Sequence, residues 1–201
     1  WQMVSPSFSS SAPLDRDAAR AALGLTGPLV LSVGNLVPEK GHDLAIRALA
    51  QLPAVRLAII GTGPQRAALA QLAATLGVAD RLLWIAPVSQ DELVSYYAAA
   101  DLCLLCSSRE GMPNVLLESL ACGTPVVATA VGGVPEIVSV PAVGSTVPRR
   151  TPEAISAACA AILRAPPDRA AIRRHAERFG WDEPVHRQVR LLESVAAAGH
   201  A

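Results

Sequence analysis

The chain has 201 residues, enough for one sizeable α/β domain and too few for two full ones. Apolar residues make up 51% and aromatic residues only 3%, so Leu, Val, Ile and Ala must build the core, which suits a parallel sheet buried under helices. Lys plus Arg and Asp plus Glu number 17 each, so no overall charge favours nucleic acid or an anionic membrane surface.

The first residues and the cysteines indicate the setting of the chain. It starts at Trp1 rather than Met, so we expect a piece of a longer protein, with residues 1–13 a Ser-rich leader or linker remnant before one domain over 14–201. No signal peptide is visible, and no apolar run reaches the about 20 residues of a membrane-spanning helix. The four cysteines are predicted to be reduced core thiols of a cytoplasmic protein, with the first two on opposite faces of a strand: Cys103, Cys106, Cys122 and Cys159.

Strands and helices alternate along the domain. Strands are predicted over 29–34, 55–60, 82–86, 101–106, 126–129 and 143–147, and helices over 42–52, about 66–76, 90–100, 113–122, 152–163 and 168–178, with a last helix within 180–198. Ser89 and Glu92 form a capping box, Pro113 suits a first helical position, and Gly123 suits the position after a helix. A turn is predicted at residues 132–135, Gly-Gly-Val-Pro. The alternation predicts a Rossmann-like doubly wound parallel sheet with helices on both faces, which binds ligands at the carboxyl ends of its strands.

Two of the loops after strands carry glycines. The first, GNLVPEKG over 34–41, brings Lys40 to a helix N-terminus, where an ammonium and free backbone N–H groups suit a phosphate; a solvated surface lysine is the alternative. It matches neither GxGxxG nor the P-loop motif. The second, Gly61-Thr62-Gly63-Pro64, lets a ligand approach the backbone, although a tight turn explains it equally well.

The third loop and its helix, SSREGMPNVLLE over 107–118, carry two carboxylates eight residues apart. The amides of the first helical turn, from Asn114 to Leu116, are predicted to be unpaired within the helix and to favour a pyrophosphate. Glu118 is placed to accept hydrogen bonds from ribose hydroxyls and Glu110 from those of a sugar. The alternative is two ordinary surface carboxylates, but the helix is largely apolar, so Glu118 needs a partner.

At these residues the sequence resembles the family 4 (group one) glycosyltransferases, in the C-terminal, donor-binding domain of their two-domain GT-B fold. The likeness runs from about Leu29 to Val138 and includes VGNLVPEKG, IIGTGP, the Glu110-to-Glu118 pattern, ACGTPVVAT and GGVPE, with WDEP in the tail. The combination in this order is specific, whereas GTG by itself is weak.

The resemblance implies roles for individual residues. Glu110 and Lys40 would be the catalytic residues: Lys40 would bind the donor diphosphate and ease departure of the nucleoside diphosphate, and Glu110 would contact the donor sugar. Many members have Arg where this chain has Asn35, which cannot replace a guanidinium, so more of the phosphate binding falls on Lys40. His42 is expected to be an exposed cap at its helix start. The implied donor contacts are Gly34, Asn35, Lys40, Gly61, Gly63, Val88 near the base, Asn114, Val115, Leu116 and Glu118.

The resemblance also implies partners for the chain. The donor would be a nucleoside-diphosphate sugar. Its hexosyl unit would be transferred with retention of anomeric configuration and without a metal or cofactor. The acceptor would be a glycan or lipid-linked molecule held by an absent N-terminal domain. The helix within 180–198 is expected to pack toward that domain. We therefore expect the isolated chain to bind nucleotide without transferring sugar. Bacterial members often build surface polysaccharide, and the full enzyme is expected in the cytoplasm, with possible peripheral attachment to the inner face of the plasma membrane.

Three alternatives stay open. The same fold occurs in non-catalytic modules that bind a nucleotide or a partner protein, but these need not keep Lys40, Glu110 and Glu118. A nucleotide-sugar epimerase should carry further acid and base residues, and a phosphorylase-like enzyme a cofactor lysine with its own motif. A purely structural, dimerising domain would leave the three loops unexplained.

Overall fold

The computed structural model describes residues 15–179, which form one parallel sheet covered on both faces by helices. The strands are β1 (Leu29–Val33), β2 (Arg56–Ile60), β3 (Leu82–Ile85), β4 (Leu102–Leu105), β5 (Val126–Thr129) and β6 (Gly144–Val147). Their spatial order is β3-β2-β1-β4-β5-β6, and every neighbouring pair is parallel. This is the strand order of doubly wound folds, so the predicted fold class is confirmed.

Helices cover both faces of the sheet. They are α1 (Arg16–Ala22), α2 (His42–Leu49), α3 (Arg66–Thr75), α4 (Gln90–Ala99), α5 (Asn114–Ala121), α6 (Val134–Ile137), α7 (Pro152–Arg164) and α8 (Arg169–Ala176). Short 3-10 turns lie at Pro38–Lys40, Ala79–Arg81, Pro141–Val143 and Glu177–Phe179. Helices α2, α3 and α7 share one apolar core with the sheet, and α4, α5 and α8 share the other.

Alternation along each strand feeds both cores, because a parallel sheet covered on both sides buries every strand position. In β4, Leu102 and Leu104 join the core under α2, while Cys103 and Leu105 join the core under α5. Cys106 lies on the same side as Leu104, so the prediction that Cys103 and Cys106 face opposite ways is confirmed. All four cysteines are free thiols; Cys122 is half-buried and the other three are buried.

The ends of the elements follow local signals with a few exceptions. Ser89 and Glu92 form the predicted capping box, and β5 has the predicted bounds. The other strands differ from prediction by one residue at one or both ends. The helix predicted over 42–52 ends at Leu49; the N–H of Leu52 donates to the Leu49 carbonyl in a tighter turn just before Pro53, and the Arg81 guanidinium donates to the carbonyls of Leu49, Leu52 and Val55.

Two predicted positions near helix starts are wrong. Pro113 is not the first helical residue of α5; its ψ of 106° is extended, and it is the N-cap, with Asn114 the first helical residue. The predicted turn at 132–135 is a turn only at residues 132–133, because α6 begins at Val134. The leader over 1–13 and the helix within 180–198 lie outside the described residues.

The strand order fixes where a ligand can bind. The chain winds from β1 outward through β2 and β3, then crosses back to β4 on the other side of β1, so the winding direction reverses between β1 and β4. These two strands pair only at Val30–Leu102 and Leu31–Cys103. In doubly wound folds the ligand crevice lies beyond the carboxyl ends of such a strand pair. Within residues 15–179, no helix has the length and apolar character needed to span a membrane.

Candidate functional site

The loops that follow β1 and β4 meet through an ion pair. The Nζ atom of Lys40 lies 2.7 Å from Oε1 of Glu110, and the side chains are 30% and 10% exposed. Lys40 ends the 3-10 turn Pro38–Lys40, and the backbone of that turn is tied to the second loop, because Ser108 N–H donates to the carbonyl of Glu39 at 2.8 Å. The two residues predicted to be catalytic are therefore brought together at the crevice between β1 and β4.

Ser107 is a site residue that the sequence analysis missed. Its hydroxyl donates to Glu110 Oε1 at 2.6 Å, and its own backbone carbonyl accepts a hydrogen bond from the Thr129 hydroxyl at 2.5 Å. Ser107 is completely buried and Thr129 nearly so. A serine that directly follows a buried strand, three residues before a loop carboxylate, is the signal that could have identified it.

Glu118 lies one turn into α5, and its predicted need for a partner is confirmed. The hydroxyl of Tyr97, on α4, donates to Glu118 Oε2 at 3.0 Å. Burial raises the pKa of Glu118, and the hydrogen bond from Tyr97 offsets part of this rise by favouring the carboxylate. Burial also raises the pKa of Tyr97 well above its usual value, so the phenol keeps its proton and stays the donor.

Helix α5 begins at Asn114, four residues after Glu110. Asn114 is exposed, Val115 is half-buried, and Leu116 is fully buried and anchors the first turn in the core. The prediction that all three amides are unpaired within the helix is wrong for Leu116, whose N–H donates to the Pro113 carbonyl at 3.1 Å. Because Pro113 is the extended N-cap, its carbonyl is placed to accept this first-turn bond.

The predicted glycines lie where the loops after β1 and β2 touch. A Cβ at Gly61 would overlap the carbonyl oxygen of Gly34, and one at Gly63 would lie 2.5 Å from the carbonyl oxygen of Leu36. The Leu36 N–H also donates to the Thr62 carbonyl at 2.8 Å. The stem of Lys40 passes Gly34, with its Cδ 3.7 Å from where a Cβ would stand. Gly61 and Gly63 therefore allow the close approach of the two loops, whereas a Cβ at Gly34 would make ordinary contact with the Lys40 stem.

The remaining predicted residues lie around the rim. Asn35 is exposed, and Val88 is half-buried against the core under α5. Beside them an open cleft of about 310 Å³ runs between the loops after β2 and β3, and the Arg66 guanidinium stacks on the Trp84 ring at 3.7 Å in its wall. The cleft is lined by Leu36, Gly61, Thr62, Arg66, Trp84, Ile85, Ala86 and Pro87.

A larger cleft, of about 410 Å³, lies away from these loops and includes Arg16, Arg20 and Asp101 in its lining. Both guanidinium groups are ion-paired with Asp101, and Arg20 also donates to the Ala99 carbonyl at 3.0 Å. Asp101 in turn accepts from the N–H of Leu29 at 2.7 Å. This network therefore attaches α1 to the sheet, and its polar groups are already engaged.

The expectation for His42 is wrong. It is only 2% exposed, at the first position of α2, and its Nδ1 lies 3.2 Å from the hydroxyl of Ser32 on β1. Burial lowers the pKa of His42, because desolvation disfavours the imidazolium. A polar residue at a helix start suggests exposure, but here that helix start packs directly on the sheet.

Side chains suited to a metal do not cluster in the part of the chain that the structure describes. Residues 15–179 contain no group of three or more His, Cys, Asp and Glu side chains arranged to hold an ion. The expectation that no metal or cofactor takes part stays a prediction.

The structure is a Rossmann-like domain in which Lys40 and Glu110 pair beyond the ends of β1 and β4, where strand winding reverses, and Glu118 lies on the helix that follows Glu110. The family model for glycosyl transferases group 1 matches residues 15–179, which include every one of these residues. The chain belongs to the group 1 glycosyltransferase family, as the sequence resemblance indicated.

Individual proteins agree with this assignment. The chain is 41% identical over 184 residues to a D-inositol 3-phosphate glycosyltransferase of Mycolicibacterium gilvum (strain PYR-GCK), covering 86% of this chain and 41% of that protein. A sucrose-phosphate synthase from Thermosynechococcus elongatus superposes with a TM-score of 0.82 at 31% identity, over 92% of this chain and 50% of that one.

A third comparison concerns the fold alone. The C-terminal domain of a group 1 glycosyl transferase from Francisella tularensis has a TM-score of 0.69 at 20% identity, over 85% of this chain and 91% of that one. The chain thus spans nearly the whole of an isolated C-terminal domain, but less than half the length of the curated relatives it matches.

Proposed function

We propose that this chain is the donor-binding half of a retaining glycosyltransferase, which takes a hexosyl unit from a nucleoside-diphosphate sugar. The observation that carries the proposal is the meeting of Lys40 and Glu110 at the crevice between β1 and β4, beside the N-terminus of α5. This arrangement supplies one cation, one acceptor carboxylate and one helix N-terminus at the same edge of the sheet, which are the groups that a sugar diphosphate needs.

In this proposal the diphosphate binds to Lys40 and to the first turn of α5, at Asn114 and Val115. Lys40 is the only lysine in the chain, and the other 16 of its 17 Lys and Arg residues are arginines. A compact ammonium at this one position supports a role that requires a point charge on a mobile stem rather than a fixed guanidinium fork. Because Asn35 is neutral, Lys40 is the basic residue that the first loop offers to the phosphates.

The two glutamates divide the remaining contacts. Glu110 accepts hydrogen bonds from the hydroxyls of the transferred sugar, and Glu118 accepts them from the ribose, with the base beyond it near Val88. Burial of Glu118 against Tyr97 supports a fixed acceptor for hydroxyl groups. Gly34, Gly61 and Gly63 line the cleft in this proposal. Gly61 and Gly63 allow the loops after β1 and β2 to come into backbone contact. No metal or cofactor is required.

The acceptor belongs to the part of the protein beyond this domain. We propose a glycan or lipid-linked acceptor, held by an N-terminal domain that closes over the crevice from the far side, with the full enzyme in the cytoplasm or on the inner membrane surface. The curated relatives are named for D-inositol 3-phosphate, which is neither a glycan nor lipid-linked, and this is the alternative acceptor to test first. Without that domain the chain binds donor and does not transfer sugar.

Calorimetric titration of the purified chain with uridine, guanosine and adenosine diphosphates tests the proposal. One of the three should bind, and Lys40→Ala and Glu118→Ala should each weaken it about tenfold or more, the size of one lost charge-assisted hydrogen bond. Asp80→Ala is the matched control, because this exposed carboxylate precedes β3 and so lies at the opposite edge of the sheet. Equal affinity in all four proteins, or no binding at millimolar concentration, would refute the proposed site.

A further inference from the structure

We propose that Glu110 and the donor diphosphate exchange the Lys40 ammonium between them, and that Ser107 is the positioning residue that holds Glu110 during the exchange. The inference rests on the proposed function and describes how the same site distinguishes a complete sugar donor from the nucleoside diphosphate that leaves. It assigns a role to a buried hydroxyl that touches neither substrate.

The geometry concentrates two donors on one oxygen. Glu110 Oε1 lies 2.7 Å from the Lys40 ammonium and 2.6 Å from the Ser107 hydroxyl, whereas Oε2 has no hydrogen-bond partner among residues 15–179. The Lys40 ammonium makes its one recorded ion pair within that range with Glu110. In this state the cation that the diphosphate needs is engaged, and the second carboxylate oxygen is the one left for a sugar hydroxyl.

A diphosphate competes well for this lysine. It carries more negative charge than one carboxylate, and an ammonium on a flexible four-carbon stem reorients easily. Glu110 then keeps Ser107 but loses its counter-charge. Since the Glu110 side chain is only 10% exposed, water replaces that charge poorly.

Because Glu110 loses the Lys40 ammonium, the affinity of a ligand depends on whether it carries a sugar. Hydroxyl groups of a bound sugar donate to Glu110 and compensate for the departed ammonium, so a nucleoside-diphosphate sugar meets no unpaired carboxylate. A nucleoside diphosphate without sugar leaves Glu110 with Ser107 alone and binds less well than its phosphates would allow. The exchange therefore favours donor over product at the same site.

Ser107 has to stay in place while Lys40 moves. It is completely buried, and Thr129, on β5, donates to its backbone carbonyl at 2.5 Å. Its hydroxyl is therefore fixed by the sheet and not by the ligand. Ser108, the next residue, is exposed, and its hydroxyl makes only a 3.4 Å contact to the Glu39 carbonyl.

The test measures dissociation constants for UDP and UDP-glucose, or for the guanosine or adenosine pair if that base binds in the screen above. Glu110→Gln should bind the nucleoside diphosphate about fivefold more tightly than wild type, the effect of removing one competing, partly exposed ion pair. The same variant should lose the preference for the sugar-bearing ligand. A merely structural role for Glu110 would weaken both ligands together.

The Ser107 role is tested by a double-mutant cycle. Ser107→Ala should weaken the nucleoside diphosphate, because Glu110 is left with no donor when Lys40 departs. In the Glu110→Gln background the same Ser107 substitution should have no effect, since no carboxylate remains to be held. Ser108→Ala is the matched control and should leave both constants unchanged. Thermal unfolding of each variant checks that it is folded.

A spectroscopic measurement follows the exchange directly. Because Lys40 is the only lysine, chain grown with ¹³C-lysine gives one Hε–Cε signal, which UDP should shift in wild type. Glu110→Gln should shift the signal before any ligand is added. If Glu118→Ala weakens UDP while Glu110→Gln also weakens it or leaves it unchanged, the exchange is overturned and the donor site stands. If neither wild type nor Glu110→Gln binds any of the nucleotides, both proposals fall.

Discussion

Gly132 supports the loop that carries Glu110, and replacing it by alanine gives a quantitative test of the site. Its φ is +51°, and a Cβ added there would overlap the carbonyl oxygen of Glu110. The same Cβ would lie 3.2 Å from the carbonyl oxygen of Gly111, to which the next residue, Gly133, donates a backbone hydrogen bond of 2.8 Å. The substitution therefore pushes on the backbone of two consecutive loop residues.

The expected loss of stability has two parts. Left-handed backbone costs an alanine about 1–2 kcal/mol. Relief of the overlap requires the loop to move, which adds about 1–3 kcal/mol on the scale of overpacked sites. Gly77 provides the control, because its φ of +66° is similar but a Cβ there would meet nothing within 4 Å. Gly77→Ala should thus show the first part alone.

Thermal unfolding measures the loss of stability, and calorimetric titration measures nucleotide affinity. Gly77→Ala should lower the melting temperature by about 2–8 °C and leave nucleotide affinity unchanged, whereas Gly132→Ala should lower both, since about 1 kcal/mol corresponds to 2–4 °C in a domain of this size. The nucleotide loss should follow from displacement of Glu110 relative to Lys40. If the two variants lose equal stability and bind nucleotide equally, the loop contact does not position the site.

Three further substitutions have expected outcomes. Burial raises the pKa of Glu118, so the folded chain holds the carboxyl proton more tightly than the unfolded chain does. This group's contribution to stability therefore falls as pH rises through the raised pKa. Glu118→Gln should flatten the pH profile of the unfolding free energy at acid to neutral pH and should still weaken nucleotide binding. Burial lowers the pKa of His42, so its contribution is present above about pH 6.5 and is lost as pH falls below that value; His42→Gln should reduce this acid-side slope, which urea unfolding at several pH values measures. Thr129→Val removes the hydrogen bond to the buried Ser107 carbonyl and should cost about 1–3 kcal/mol in chemical unfolding, with Thr75→Val, which loses an exposed hydrogen bond, as the control.

Local chemistry explains the parts of the fold that the sequence predicts well. The capping box at Ser89 and Glu92 and the glycine after α5, Gly123 with a φ of +74°, depend on residues close to one another in the chain. The bounds of β5 follow from four buried apolar or β-branched residues between Pro125 and a turn. Such signals need no knowledge of the strand order.

The site depends on contacts between distant segments, and there the sequence is less informative. Lys40 and Glu110 are 70 residues apart, and their ion pair exists because β1 and β4 are neighbours in the sheet. The motif identifies both residues but not their pairing. The Ser107 contact follows from the same packing of loops on strands, and so does the burial of His42.

The limited pairing of β1 with β4 separates the residues suited to ligand recognition from the residues that stabilise the sheet. Only Val30 and Leu31 of β1 align with β4, and the chain segments beyond them diverge into the loops that carry Lys40 and Glu110. Substitutions in these loops can change which ligand is recognised without changing the buried apolar residues of the strands, as in other folds that support many chemistries. The residues that would choose a ligand and the residues that hold the sheet together are thus different ones, so the loops can change while the sheet stays the same.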